Sequence, residues 1–284
     1  MAMAIERARR VPESDRGEMV AEALALAYDA GTPIDKSAVV DAIAATLNSI
    51  GDPLERVWIE DTHGKRHTHK FEQALPLLGN RGDFRYLWAI PQSERRNSKS
   101  RWLTTAAIDN IAANGATLFF ALPQGLTTEF GPHLTLLKLL AQADAIPQYG
   151  FGFARVYGSP DSFAASYVHK SGVREMGQAD SVRLSAAGND RRRNPALHPD
   201  RCRDAVRPIL DVFPLNVLSD LHLQQKLGDA SFKEWILRNT GPESLTQIGP
   251  RCFAWSVPPS RTAPVSAQLQ KSGLTLAGGP RRVF

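Results

Sequence analysis

The sequence predicts an α+β, or α/β, protein. Three observations carry that reading: apolar residues recurring at the helical period, short aromatic and β-branched runs bounded by glycine and proline, and an apolar content of 43% in 284 residues. A chain of that size and composition can bury one large core or two of ordinary size. The expected plan is an N-terminal helical region with a β-hairpin, a central sheet-and-helix domain, and C-terminal helices with a small β-β-α unit. In residue numbers this gives a basic arm over 1–12, the helical region with hairpin over 13–102, the central domain over 103–188, a basic linker over 189–207, the C-terminal segment over 208–275 and a disordered tail over 276–284.

Taken in order, Asp15 with Glu18 forms a capping box for a first helix whose apolar face runs Met19, Val20, Ala23, Leu24 and Ala27 to a stop at Gly31. Asp35 caps a second, with Val39, Val40, Ile43, Leu47 and Ile50 spaced by threes and fours before Gly51. A hairpin follows, Arg56 to Glu60 and Arg66 to Lys70 around the turn at Thr62 to Lys65. Two helices and a basic hairpin are also the parts of a winged helix, which would set the second helix in a DNA groove. Asp83 to Ile90 is a strand closed by Pro91, and Thr105 caps a helix through Ile108 and Ile111 to Gly115. Beyond these come a strand at Thr117 to Leu122, a leucine-rich helix from His133 to Ala143 opened by Pro132, and a strand at Phe151 to Tyr157. A short helix through Phe163 and Tyr167 and a strand at Val182 to Leu184 complete the central domain. After the linker, helices are expected at Arg203 to Phe213, Asp220 to Leu227 and Phe232 to Arg238, the last two capped by Ser219 and Ser231. Paired strands at Leu245 to Ile248 and Cys252 to Val257 and a helix from Pro264 to Lys271 end the ordered chain.

Residues 117–187 resemble the RNA recognition motif, a ferredoxin-like RNA-binding fold. The resemblance rests on Leu118-Phe-Phe-Ala-Leu-Pro123, similar to the ribonucleoprotein motif on that module's first strand, and on Tyr149-Gly-Phe-Gly-Phe153, similar to the motif on its third strand except that Tyr149 replaces the leading basic residue. It implies a ferredoxin-like central sheet and base stacking by Phe119, Phe151 and Phe153. The same residues also suit buried central strands, with glycine allowing close approach of a helix.

Charge adds a second line. The chain carries 34 Lys plus Arg against 29 Asp plus Glu, net +5, an excess that matters only where it is clustered. It clusters twice: at Arg95, Arg96, Lys99 and Arg101, and at Arg191, Arg192 and Arg193, both in polar segments without apolar periodicity. Such loops suit a phosphate backbone, so RNA or DNA is the expected partner, with a protein partner as the other reading.

Catalysis has one candidate location. Glu60, Asp61 and His67 in the hairpin are the residue types that a metal-dependent nuclease uses to hold Mg²⁺ and assist an attacking water, and Mg²⁺ would be needed only for that activity. Otherwise no cofactor is expected, because no phosphate-binding glycine loop, dinucleotide fingerprint or nucleophile elbow occurs. Cys202 and Cys252 lack metal-ligand spacing, which fits a reducing, cytoplasmic setting. Neither a signal peptide nor a membrane span is expected, for want of an apolar run.

Overall fold

The computed structural model describes residues 21–27, 35–80, 84–92, 105–109, 117–123, 130–146, 152–157, 209, 212–272 and 274. The fold is α+β and is built on antiparallel strand pairs. The chain divides into two compact units, Met1–Ile146 with Ala154–Gly172, and Pro147–Phe153 with Val173–Phe284.

In the first unit the elements run β1 (Ala21–Ala27), α1 (Lys36–Ser49), β2 (Leu54–Asp61), β3 (Arg66–Lys70), α2 (Phe71–Asn80), β4 (Phe84–Pro91), β5 (Thr105–Asp109), β6 (Thr117–Pro123) and α3 (Gly131–Gln142), followed by β7 (Gly152–Tyr157). From β7 the sheet order is β7-β1-β6-β5-β4-β2-β3. Side chains alternate along each strand, so one face of this sheet collects Leu24, Leu26, Val57, Leu87, Ala89, Leu118 and Phe120, all fully buried. Helices cover that face: α1 packs on β2, β4, α2 and α3, and α2 packs on β2 and β3. Helix α1 forms where expected, because the Asp35 side chain accepts from the Ala38 N–H at 3.0 Å and Val39, Val40, Ile43 and Leu47 are buried as one stripe.

Two expected helices are strands. Residues 21–27 form β1, in register with β6 from Ala21 opposite Pro123 to Ala27 opposite Thr117. The run Ala-Glu-Ala-Leu-Ala-Leu-Ala alternates strictly, and Glu22, Leu24 and Leu26 are buried. Alanine and leucine favour a helix by local propensity, and pairing with β6 outweighs that preference. Residues 105–109 likewise form β5, held between β4 and β6. The winged-helix arrangement does not form among the described residues: residues 21–27 of its expected first helix are β1, and its hairpin is one end of the sheet. Strands β4 and β5, on either side of residue 102, pair within this one sheet.

In the second unit β12 (Cys252–Ser256) pairs with both β11 (Leu245–Gly249) and β8 (Leu215–Ser219). Helices α4 (Asp220–Gln224), α5 (Phe232–Thr240) and α6 (Pro259–Lys271) accompany them. Ser219 and Ser231 cap α4 and α5 through full capping boxes, as expected. Helix α4 ends earlier than predicted: Lys226–Leu227 is β9, paired with β10 (Ala230–Ser231) around Gly228, whose φ of 63° suits glycine. Helix α6 starts earlier, with proline in its first turn where the missing N–H costs little. The helix expected over 203–213 fails where it is described, since the Ile209 N–H donates to the Leu274 carbonyl at 3.0 Å and Val212 and Phe213 are not helical. The core of this unit gathers on Trp255, which meets Phe232 edge-on at 5.4 Å and donates from Nε1 to Thr240 Oγ1 at 3.1 Å.

The expected basic arm, linker and tail lie outside the described residues, as do the short helix through Phe163 and the strand at Val182. Among the described residues no helix is long and apolar enough to cross a membrane.

Candidate functional site

Alternation that buries one face of the first unit's sheet turns a second set of side chains the other way. Arg56, Trp58 and Glu60 of β2 stand on this outer face. The register places Lys70, Thr68 and Arg66 of β3 beside them on one side, and Ile90, Trp88 and Tyr86 of β4 on the other. Three rows cross the strands: Lys70-Arg56-Ile90, Thr68-Trp58-Trp88 and Arg66-Glu60-Tyr86. Trp58, Tyr86 and Trp88 are half-buried, three large aromatics on one sheet face.

The rings hold one another. Trp58 and Tyr86 meet edge-to-face at 5.6 Å, and Tyr86 and Trp88 at 5.9 Å. The Arg66 guanidinium lies over the Trp58 ring at 5.3 Å while its Nε donates to Glu60 Oε2 at 3.1 Å. Arg66 is 69% exposed, so its charge stays at the surface although its position is fixed. The result is an aromatic patch bordered by Arg56, Arg66 and Lys70, with Glu60 inside it. Tryptophan, tyrosine and arginine are the residues that dominate binding energy at protein interfaces.

The hairpin acids do not converge. Glu60 points to the outer face and is paired with Arg66, whereas Asp61, beyond a register shift, pairs with Phe84 and closes the turn. Asp61 Oδ1 accepts from the N–H groups of His63 at 2.9 Å and Lys65 at 2.8 Å. The Lys65 N–H above all, against slight desolvation, holds this carboxyl below the usual range, with His63 and His67 adding smaller pulls in the same direction. His67 does approach it, Nε2 lying 3.9 Å from Asp61 Oδ2, and His67 stacks on His69 at 6.1 Å. Among the described residues no three His, Cys, Asp or Glu side chains are grouped to hold a metal.

The expected base-stacking residues are placed only in part. Phe119 of β6 is in register with Ala25 and Ala107, and β1 lies between β6 and β7, the strand that carries Phe153. The side chains of Phe119 and Phe153 lie outside the described residues, as do Phe151, Arg95, Arg96, Lys99, Arg101, Arg191, Arg192 and Arg193. The aromatic face escaped the sequence reading because Trp58 and the Tyr86-Trp88 pair are distant in the chain. The period-2 positions of both tryptophans were the available signal.

Burial shifts the pKa of two further groups, His133 and Cys252. His133 is fully buried against Phe120 at 5.5 Å and Phe130 at 5.7 Å, with Nε2 3.0 Å from the Glu22 carbonyl oxygen. Burial pushes its pKa down to about 4, with the Glu22 and Phe120 carbonyls pulling the other way, so it is neutral near pH 7. Burial also pushes the Cys252 thiol up to about 12, which leaves it a poor nucleophile.

No protein-family model and no curated protein matches the sequence. Among solved structures the chain is similar to a T6SS protein of Pseudomonas aeruginosa, with 16% identity over 93% of this chain and 77% of that one and a TM-score of 0.51, a likeness of fold.

Proposed function

We propose that the chain is a non-catalytic binding protein whose outer sheet face recognises a protein partner. The observation that carries this reading is the half-buried Trp58-Tyr86-Trp88 patch with Arg66 fixed across it. A platform for bases would offer ring faces to solvent. Here the rings spend much of that surface on one another and on Arg66, which leaves the compact, pre-ordered anchor typical of a protein hot spot. Arginine and glutamate interleaved on one face also favour a partner of mixed chemistry over a uniform polyanion. The fold likeness to a T6SS protein makes proteins of such a secretion assembly the first class of partner to test. Nucleic-acid binding is the second reading; exposed Lys65, Arg66 and Lys70 around the hairpin favour it, together with the arginine clusters of the sequence.

The test compares wild type with Trp58→Ala and Trp88→Ala. Each is measured against a purified partner recovered on the immobilised chain, and against single- and double-stranded DNA and RNA at two salt concentrations with and without Mg²⁺. Weakened partner affinity in both variants, with no retained oligonucleotide, supports the proposal. Salt-sensitive oligonucleotide binding in place of a protein partner overturns it in favour of the second reading. Cleavage that requires Mg²⁺ and is lost in Asp61→Ala overturns the non-catalytic part.

A further inference from the structure

Beyond the aromatic face, the sheet of the first unit ends at β3, and among the described residues no strand lies outside it. We infer that the β3 edge takes an acidic, extended segment of the partner as an added strand, read in the pattern acid-x-apolar-x-acid. The inference rests on the protein-binding reading above and names the chemistry of its partner.

Backbone geometry supplies the docking groups. The Asp61 N–H donates to the Lys65 carbonyl at 2.9 Å, which makes 61 and 65 a hydrogen-bonded pair at the head of the hairpin. Antiparallel pairs alternate, so His67 opposite Ile59 and His69 opposite Val57 turn their peptide groups toward β2. The peptide groups of Arg66 and Thr68 therefore point away from β2, at the open edge. An incoming strand can bond to them without disturbing any existing ladder bond.

Side chains supply the pattern. On the outer face β3 presents Arg66, Thr68 and Lys70, all exposed. An added strand extends the three rows by one position each: beside Lys70, beside Thr68 and beside Arg66. The middle position borders small Thr68 with Trp58 behind it, room and surface for an apolar side chain. The outer two positions meet cations and call for Asp or Glu. Because the pattern is the same in both directions, it suits a parallel or an antiparallel segment.

The same charges exclude a second copy of β3. Antiparallel self-pairing about Thr68 would set Arg66 against Lys70 twice, and like charges directly opposite are destabilising. Charge complementarity thus selects an acidic strand from another protein and discourages edge-to-edge self-association.

The experiment uses the full chain and a fluorescein-labelled peptide containing Glu-Val-Leu-Val-Glu, read by anisotropy, with Lys-Val-Leu-Val-Lys as the charge-reversed control. Thr68→Pro removes an outward N–H and is tolerated at an edge, where it breaks no bond to β2. Lys70→Glu reverses one charge and leaves the backbone intact. The expected result is binding of the acidic peptide alone, weakened about tenfold or more by each variant. Failure of the acidic peptide to bind overturns the inference, as does equal binding to wild type and both variants. If a purified partner loses affinity in Trp58→Ala and keeps it in Thr68→Pro and Lys70→Glu, strand addition is overturned while the face reading stands. Binding of an oligonucleotide in place of the peptide overturns both.

Discussion

His133 offers the most quantitative consequence of this structure. Its ring is sealed between Phe120 and Phe130 and bonded to the Glu22 carbonyl, tying α3 to β1. Its pKa falls from 6.5 to about 4 on folding, chiefly because burial penalises the cation. The unfolded chain therefore binds the extra proton between pH 6.5 and about 4, and stability must fall as pH falls through that window. A difference of about 2.5 in pKa at about 1.4 kcal/mol each gives roughly 3 kcal/mol lost by pH 4 and none above pH 7. Carboxylates titrate in the same range, so a variant must isolate the histidine. His133→Met keeps an apolar side chain of similar bulk and leaves the Glu22 carbonyl without its donor, at a pH-independent cost of about 1–2 kcal/mol. Urea denaturation followed by circular dichroism at several pH values reads the difference. Wild type should be the more stable at pH 7 and His133→Met the more stable near pH 4. Parallel pH profiles would refute the reasoning, because they would mean that His133 is protonated in the folded protein or accessible to water.

Other outcomes follow from single contacts. Thr240→Val removes the acceptor of the buried Trp255 Nε1 and the link to Ser244 Oγ at 2.8 Å, and should cost about 2 kcal/mol in chemical denaturation. Ser231→Ala breaks the capping box of α5 and should cost about 1 kcal/mol, seen as a lower midpoint without a change in slope. In a Cys202→Ser background, Cys252 should resist alkylation at pH 7 and react rapidly once denaturant opens the second unit, since its thiol pKa of about 12 leaves almost no thiolate. Gly64→Val should destabilise the hairpin turn by about 1–2 kcal/mol through its φ of 78°, although a side chain there meets no neighbour.

Much of this architecture is legible in the sequence where the signals are local. Helix α1, the β2-β3 hairpin, β4, β6, α3, the capped helices α4 and α5 and the β11-β12 pair follow from period, caps and turns that act locally. Strands β1 and β5 were missed because their alanine-rich residues favour helix, and ladder pairing makes them strands, β1 with β6 far along the chain and β5 with β4 and β6 on either side of it. The outer face was missed for a related reason. Trp58, Tyr86 and Trp88 each read as ordinary strand residues, and their convergence depends on the β2-β4 register, which includes two register shifts. Glu60 and Asp61 are adjacent in sequence, and a strand turns neighbours to opposite faces.

The proposed recognition face is tested most directly by the affinity of the purified partner for Trp58→Ala, measured by titration calorimetry beside wild type. Trp58 touches Tyr86 and Arg66 at the centre of the patch, so a hot-spot loss of 2 kcal/mol or more, about thirtyfold in Kd, is expected with the fold retained. An unchanged Kd in a folded Trp58→Ala protein would contradict the assignment of the outer sheet face.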